Sequence, residues 1–200
     1  MIFFSLAQQI HTMDPAAKLF IKRIGPDHLD QLQQVARQTF DETFRDTNTR
    51  ENLDKYLERS FNTPKLLKEL NHPCSRFYLA GINRDVVGYL KVNTCDAQTE
   101  QQPEGAFEIE RIYVVKAWWG KAVGQALLDL SLKIAAEMKS TYVWLGVWEK
   151  NHRAIRFYQK NGFEVFDTHV FRIGDETQTD YLMKRIMPGH DSTRGNETKA

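Results

Sequence analysis

The chain is short of cysteine, of net charge and of long apolar runs. It has two cysteines in 200 residues, Cys74 and Cys95. Two thiols make no dense disulfide framework and lack metal-ligand spacing, so both are expected to be reduced in a cytoplasmic protein. Six histidines are scattered without an H-E-x-x-H or related pairing, so no metal is expected. Lys plus Arg number 27 against 26 Asp plus Glu, a net charge of +1. That balance, with no basic stripe, argues against a general electrostatic grip on nucleic acid. No uncharged apolar run approaches the ~20 residues that a membrane helix needs. Eleven glycines and six prolines are too few for a collagen-like or low-complexity chain. What is present, 42% hydrophobic and 26% charged residues, suits one ordinary globular domain.

The ends differ from the middle. MIFFSLAQQIHTMDP has no basic residue ahead of its short apolar stretch, so it does not read as a secretion signal, and Met13 is an alternative start. Residues 1–17 are expected to be an extension, 18–187 the domain, and the polar, aperiodic 188–200 a disordered tail.

Within 18–187, Lys18 to Ile24 reads as a strand, broken by Gly25-Pro26-Asp27. Leu29, Leu32, Val35, Ala36 and Phe40 follow at helical spacing, with Asp27 as the expected cap. Helical stretches are expected from Thr49 to Phe61 and from Thr63. Arg76–Ile82 and Val86–Val92 flank a turn at Asn83-Arg84-Asp85, and 94–105 reads as a loop. Then come a strand at Ala106–Val115, a helix at Gly120–Met138, a strand at Tyr142–Val147 and a helix at Asn151–Lys160 stopped by Asn161-Gly162. Strands at Phe163–Phe171 and Thr179–Ile186 end the series. No internal repeat is found. Strands alternating with helices imply an α/β fold with a mixed sheet flanked by helices.

Trp119-Gly120-Lys121-Ala122-Val123-Gly124-Gln125 joins the strongest strand to the clearest helix. Without Cβ atoms, Gly120 and Gly124 permit close approach of a ligand, and the first helix amides point outward with positive potential. This suits a phosphate or pyrophosphate, with Lys121 as an added charge. It is neither a G-x-x-x-x-G-K-S/T nor a G-x-G-x-x-G motif. The plainer alternative is that the glycines serve strand–helix packing.

The same segment resembles the acyl-CoA pyrophosphate loop of the GNAT N-acetyltransferase superfamily, Q/R-x-x-G-x-G/A, with Trp119 where Gln or Arg is usual and Ala122 where Gly is usual. Ala122 is compatible with close approach if its φ is negative. Asn151-His152-Arg153-Ala154-Ile155-Arg156-Phe157-Tyr158-Gln159-Lys160-Asn161-Gly162-Phe163 resembles the second signature, N-x-x-A-x-x-F/L-Y-x-K-x-G-F. The resemblance covers about 18–187. With Gly174-Asp175-Glu176 and Gln178-Thr179-Asp180 it leans towards the bacterial spermine/spermidine N-acetyltransferase (PaiA-like) branch. It implies a mixed, mostly antiparallel sheet of about seven strands, with acyl-CoA in a cleft between two splayed central strands.

The implied reaction moves an acetyl group from acetyl-CoA to a primary amine, most simply a small polyamine. A protein or peptide amine, or a non-catalytic acyl-CoA or polyamine sensor, is the alternative. An alkyl ammonium has a pKa near ~10 and must lose a proton before it attacks. Glu108 and Glu110 are the candidate bases, with Glu108 favoured. Strand alternation places them on one face with Ile112 and Val114, and Arg111 on the other. Ion pairing on the sheet is their alternative role. The resemblance implies that backbone groups of Ile112, Tyr113 and Val114 hold the pantetheine arm, and a bulge there would expose them. It makes Tyr158 the general acid for the departing thiolate and gives Asn151 a cofactor contact. Asn151 alone would be an N-cap, and Tyr158 alone a core aromatic. Trp118, Trp119, Trp144 and Trp148 contact adenine or substrate, or fill core and rim. The partner expected is a small-molecule amine, not nucleic acid or membrane; a homodimer is left open, and mixed charges on the early helices define no acceptor pocket.

Overall fold

The computed structural model describes residues 18–173 and 176–190, so the expected extension, Met13 and residues 191–200 lie outside the described residues. Seven strands form one sheet: β1 Leu19–Ile24, β2 Ser75–Ile82, β3 Asp85–Asn93, β4 Ala106–Val114, β5 Tyr142–Trp148, β6 Glu164–Ile173 and β7 Glu176–Ile186. Their order is β1-β2-β3-β4-β5-β7-β6. Every pairing is antiparallel except β4 with β5. The mixed, mostly antiparallel sheet expected from the resemblance is what forms.

Five helices cover the two faces: α1 Leu29–Phe44, α2 Arg50–Ser60, α3 Thr63–Leu70, α4 Val123–Glu137 and α5 His152–Lys160. Three N-caps follow from sequence: Thr49, Asn62 and Asn151 accept the amides of Asn52, Lys65 and Ala154. Asp27 does not cap α1. Pro26 instead opens a short 3-10 turn over Pro26–His28, α1 begins at Leu29 without a side-chain cap, and the Asp27 carboxylate meets His28 at 2.9 Å.

Alternation along the strands feeds two cores. Tyr78, Ala80, Ile82, Leu90 and Val92 face α4 and α5, where Leu127, Ile134 and Ile155 are buried. Phe77, Leu79 and Tyr89 face α1–α3, against Leu32, Phe40, Leu57 and Leu66. Among the described residues no helix is long and apolar enough to cross a membrane.

Two irregularities make a cleft. β4 and β5 pair only at Ala106↔Tyr142, Phe107↔Val143 and Glu108↔Trp144, then diverge. On its other edge β4 carries a bulge. Lys91 lies opposite Arg111 and Val92 opposite Ile109, which leaves Glu110 as the extra residue. The bulge thus falls two residues before Ile112, not over Ile112–Val114.

Candidate active site

The divergence of β4 from β5 opens a cleft of about 960 Å³. Ile112, Tyr113 and Val114 line it from β4, with Glu108 and Glu110 deeper on the same strand. Trp119, Gly120, Ala122, Gly124 and Gln125 line its loop end, and Asn151 and Tyr158 reach it from α5. Two expected loop residues do not line it. The Val123 side chain is buried in the α4 core, and Lys121 lies over Trp118 with Nζ 4.7 Å from the ring centroid. Val123 could offer a ligand only its backbone amide.

α4 starts at Val123, not at Gly120, because Gly120 and Ala122 take left-handed backbone, φ +73° and +61°. A right-handed helix cannot pass through that conformation. The positive φ at Ala122 is opposite to the sign that close approach was expected to need. Neither glycine is demanded by packing. A Cβ on Gly120 would meet nothing within 4 Å beyond its chain neighbours, and one on Gly124 only Val114 Cγ2 at 3.8 Å. The space above them is therefore open to a ligand. The first intrahelical bond runs from Ala126 N to Ala122 O, so the amides of Val123, Gly124 and Gln125 have no partner within the helix. The Gln125 side chain is engaged with Asp129 and Asn161 at 2.8 and 2.9 Å, leaving its backbone as the free group. Such a cradle of amides and left-handed turns fits a pyrophosphate. Trp119 is pinned at its edge, its Nε1–H donating to Val114 O at 2.6 Å. One of the strand carbonyls expected to face a pantetheine arm is thus already taken.

The two carboxylates sit in contrasting surroundings. Because the bulge places two residues against one, Glu108, Glu110 and Arg111 share the face under α1–α3, while Ile112 and Val114 pack on the α4 side. Strict alternation fails here, and Arg111 is a direct partner of Glu110, not a residue of the opposite face. Glu110 receives Lys91 at 2.5 Å, Arg111 at 2.8 Å and Asn93 Nδ2 at 2.5 Å. Glu69 of α3 closes the quartet, 3.1 Å from Lys91 and 2.8 Å from Arg111. Burial works to raise Glu110, but Arg111 and Lys91 outweigh it and hold the carboxyl down at about 2. Among the described residues no cation pairs with Glu108. It accepts the Thr99 amide at 3.0 Å, Asn93 Nδ2 at 2.9 Å and the Thr99 hydroxyl. Burial, and then the charge of Glu110, push it up to about 7. A carboxylate poised there exchanges a proton near neutral pH; one held at about 2 does not.

Tyr158 is 7% exposed and its hydroxyl makes no hydrogen bond with any described residue. Burial raises its pKa, which keeps the phenol protonated. Asn151 Oδ1 is spent on the Ala154 amide at 3.1 Å, so its role as an N-cap is realised. Trp144 is a core residue, 1% exposed, with Nε1 on Gln98 at 2.7 Å. Trp148 packs 5.9 Å from Phe44 at the rim, and Trp118 bridges the two cores.

Sequence reasoning missed several residues. Asn93 and Thr99, which orient Glu108, lie 15 and 9 residues from it. Glu69, 42 residues before Arg111, carries no signal of its own in the sequence. Asp180 marked a resemblance without a role, yet it lines the cleft opposite Trp148 in register. Burial raises Asp180 to about 6, with Glu100 and Glu149 adding to the rise and His169 opposing it. Away from the cleft, ligand atoms of His72, Cys74 and Asp96 lie within 4.8 Å of one another, a grouping no spacing announced.

The family model described as the acetyltransferase (GNAT) family matches residues 29–163. An uncharacterized N-acetyltransferase from the pepI 3′ region of Lactobacillus delbrueckii subsp. lactis is 36% identical over 167 residues, 84% of this chain and 96% of that protein. The spermidine N(1)-acetyltransferase of Thermoplasma acidophilum is 24% identical over 152 residues, covering 74% of this chain and 89% of that one. The crystal structure of PaiA N-acetyltransferase from Thermoplasma acidophilum, in complex with coenzyme A, superposes with a TM-score of 0.71 at 22% identity, over 84% of this chain and 99% of that chain. The open mixed sheet, the parted strands and the family match lead to one conclusion: the chain belongs to the GNAT family and is an N-acetyltransferase.

Proposed function

We propose that the protein transfers an acetyl group from acetyl-CoA to a primary amine, with a small polyamine such as spermidine or spermine as acceptor. One observation carries this reading. A buried carboxyl raised to about 7 and a tyrosine hydroxyl without a partner among the described residues line the same cleft where β4 and β5 part. The cradle at Gly120–Gln125 suits the pyrophosphate of acetyl-CoA, and the unpaired edge of β4 suits its pantetheine arm.

Glu108, directly or through a water, takes the proton from the acceptor ammonium. The freed amine nitrogen attacks the thioester carbonyl carbon, the C–N bond forms and the C–S bond breaks. Tyr158 gives its proton to the departing sulfur. The products are the N-acetylated amine and the free thiol, and the proton on Glu108 passes on to solvent and Tyr158. Glu110, tied up by two cations, holds the bulge and its charge lifts Glu108. Asp180 and Glu100 line the cleft, Glu100 paired there with His169. Those two acids supply a cation-binding end for the remote ammonium of a polyamine.

The 24% identical spermidine acetyltransferase supports the acceptor class. Thiol release measured with spermidine, spermine, aminoglycosides and lysine peptides tests it. The polyamines are expected to give the highest kcat/KM. A lysine peptide outpacing them removes the polyamine reading, and no thiol release from any acceptor removes the carboxylate–tyrosine mechanism.

A further inference from the structure

Trp119 stands where the loop pattern usually supplies a polar or cationic side chain. The fold returns a cation to that place from another element. Arg153, the second residue of α5, lays its guanidinium over the Trp119 indole with Cζ 3.4 Å from the ring centroid. The indole is fixed by its bond to Val114 O at 2.6 Å, so it acts as a rigid shelf. Among the described residues no carboxylate pairs with Arg153, and burial lowers its pKa without removing its charge. A guanidinium stacked by its face keeps its N–H edges free for an oxyanion. Arg153 and Trp119 both line the cleft beside Gly120, Ala122 and Gly124.

Neighbouring cations are held in the same way. Lys116 Nζ lies 5.9 Å from the centroid of Trp119, and Lys121 lies over Trp118. Neither has an ion pair among the described residues. Lys91 and Arg111, under α1–α3, are each matched by carboxylates. Charge at the loop is thus anchored on π faces and left unneutralised.

We propose that Arg153, shelved on Trp119, is a phosphate-binding residue for the acyl carrier and supplies the contact that the loop's own sequence lacks. This rests on the acetyl-CoA reading above. The ligand chemistry is a phosphate oxyanion, either of the pyrophosphate or of the ribose 3′-phosphate.

Calorimetric titration of the full chain with CoA and with 3′-dephospho-CoA tests it. Arg153→Gln is expected to weaken CoA binding by about 10- to 100-fold, the range of a charge-assisted contact. Arg153→Lys, which keeps charge but loses the fork, recovers part of the loss, and Trp119→Leu weakens binding less than Arg153→Gln. The loss appears in KM for acetyl-CoA more than in kcat, and turnover of acetyl-pantetheine, which has no phosphate, is spared. A loss that persists with 3′-dephospho-CoA assigns the contact to the pyrophosphate. A loss confined to CoA assigns it to the 3′-phosphate. Equal affinity of wild type and Arg153→Gln for both nucleotides overturns the proposal, as does equal loss with acetyl-pantetheine. Failure of the wild type to bind CoA overturns the acetyl-CoA reading itself.

Discussion

Around Lys116–Gln125, cations rest on indole faces and make no ion pair among the described residues, although Glu42 accepts the Lys116 backbone amide at 2.7 Å, whereas under α1–α3 Lys91 and Arg111 are each shared between Glu69 and Glu110. Both regions border one cleft and both carry positive charge. The first leaves its field open to a mobile anion. The second is an ion-pair network of Glu69, Glu110, Lys91 and Arg111, with Lys65 3.7 Å from Glu69 at its edge, and it ties down the β4 bulge. An unmatched cation marks where a ligand's charge arrives, and a matched one belongs to the scaffold.

The largest expected effect tests the closed side. Lys91→Met leaves Glu69 and Glu110 to Arg111 and the more exposed Lys65, and should cost about 3 kcal/mol or more in urea unfolding, as broken buried pairs do. Lys121→Met on the open side should stay within about 0.5 kcal/mol. Equal costs would erase the contrast. Glu110 is depressed to about 2, so its stabilisation is present above its unfolded pKa and is lost as pH falls through about 2. The Lys91→Met deficit should therefore narrow in strong acid.

Tyr158→Phe should lower kcat by ~10²-fold, the scale of a general acid. Slowed thiol release with intact CoA binding is the expected pattern, and unchanged turnover removes Tyr158 from the chemistry. Glu108→Gln should reduce kcat/KM by about 10- to 100-fold. In the wild type kcat/KM should climb with pH and level off above about 7, where Glu108 is ionised, and the variant should lose that limb. Stability runs the other way. A raised carboxyl favours the fold below its unfolded pKa and loses that advantage as pH rises through about 7. Thermal melts should thus show Glu108→Gln gaining on the wild type between pH 5 and pH 8. A variant that keeps the activity limb assigns it to another group. Asp180→Asn should raise KM for spermidine about 10-fold, as a lost charge-assisted contact does, and leave KM for acetyl-CoA in place. Ala122→Gly is the smallest change. It relieves a left-handed alanine, φ +61°, at the cost of unfolded-state entropy, for a net gain of about 0.5 kcal/mol by calorimetry.

The two regions were also unequally legible. The loop and α5 are contiguous motifs, so Gly120, Gly124, Asn151 and Tyr158 were read in place and all four line the cleft. The strand face was misread because one extra residue, Glu110, reverses the alternation after it. No residue pattern in FEIERIYVV announces that bulge; it depends on the register against β3. The partners of Glu108 were invisible for a related reason, since Asn93 belongs to β3 and Thr99 to the loop after it.

The element order, the Asn151 cap, the outward amides at the start of α4 and the place of Tyr158 on α5 are legible along the chain alone. Each depends on interactions within a few residues, where chain connectivity alone brings the groups together. Which carboxylate stands free of cations among the described residues, which face Arg111 takes and what covers Trp119 emerge only on folding. Those outcomes depend on strand register and on packing between distant segments, and a one-residue offset is enough to change them.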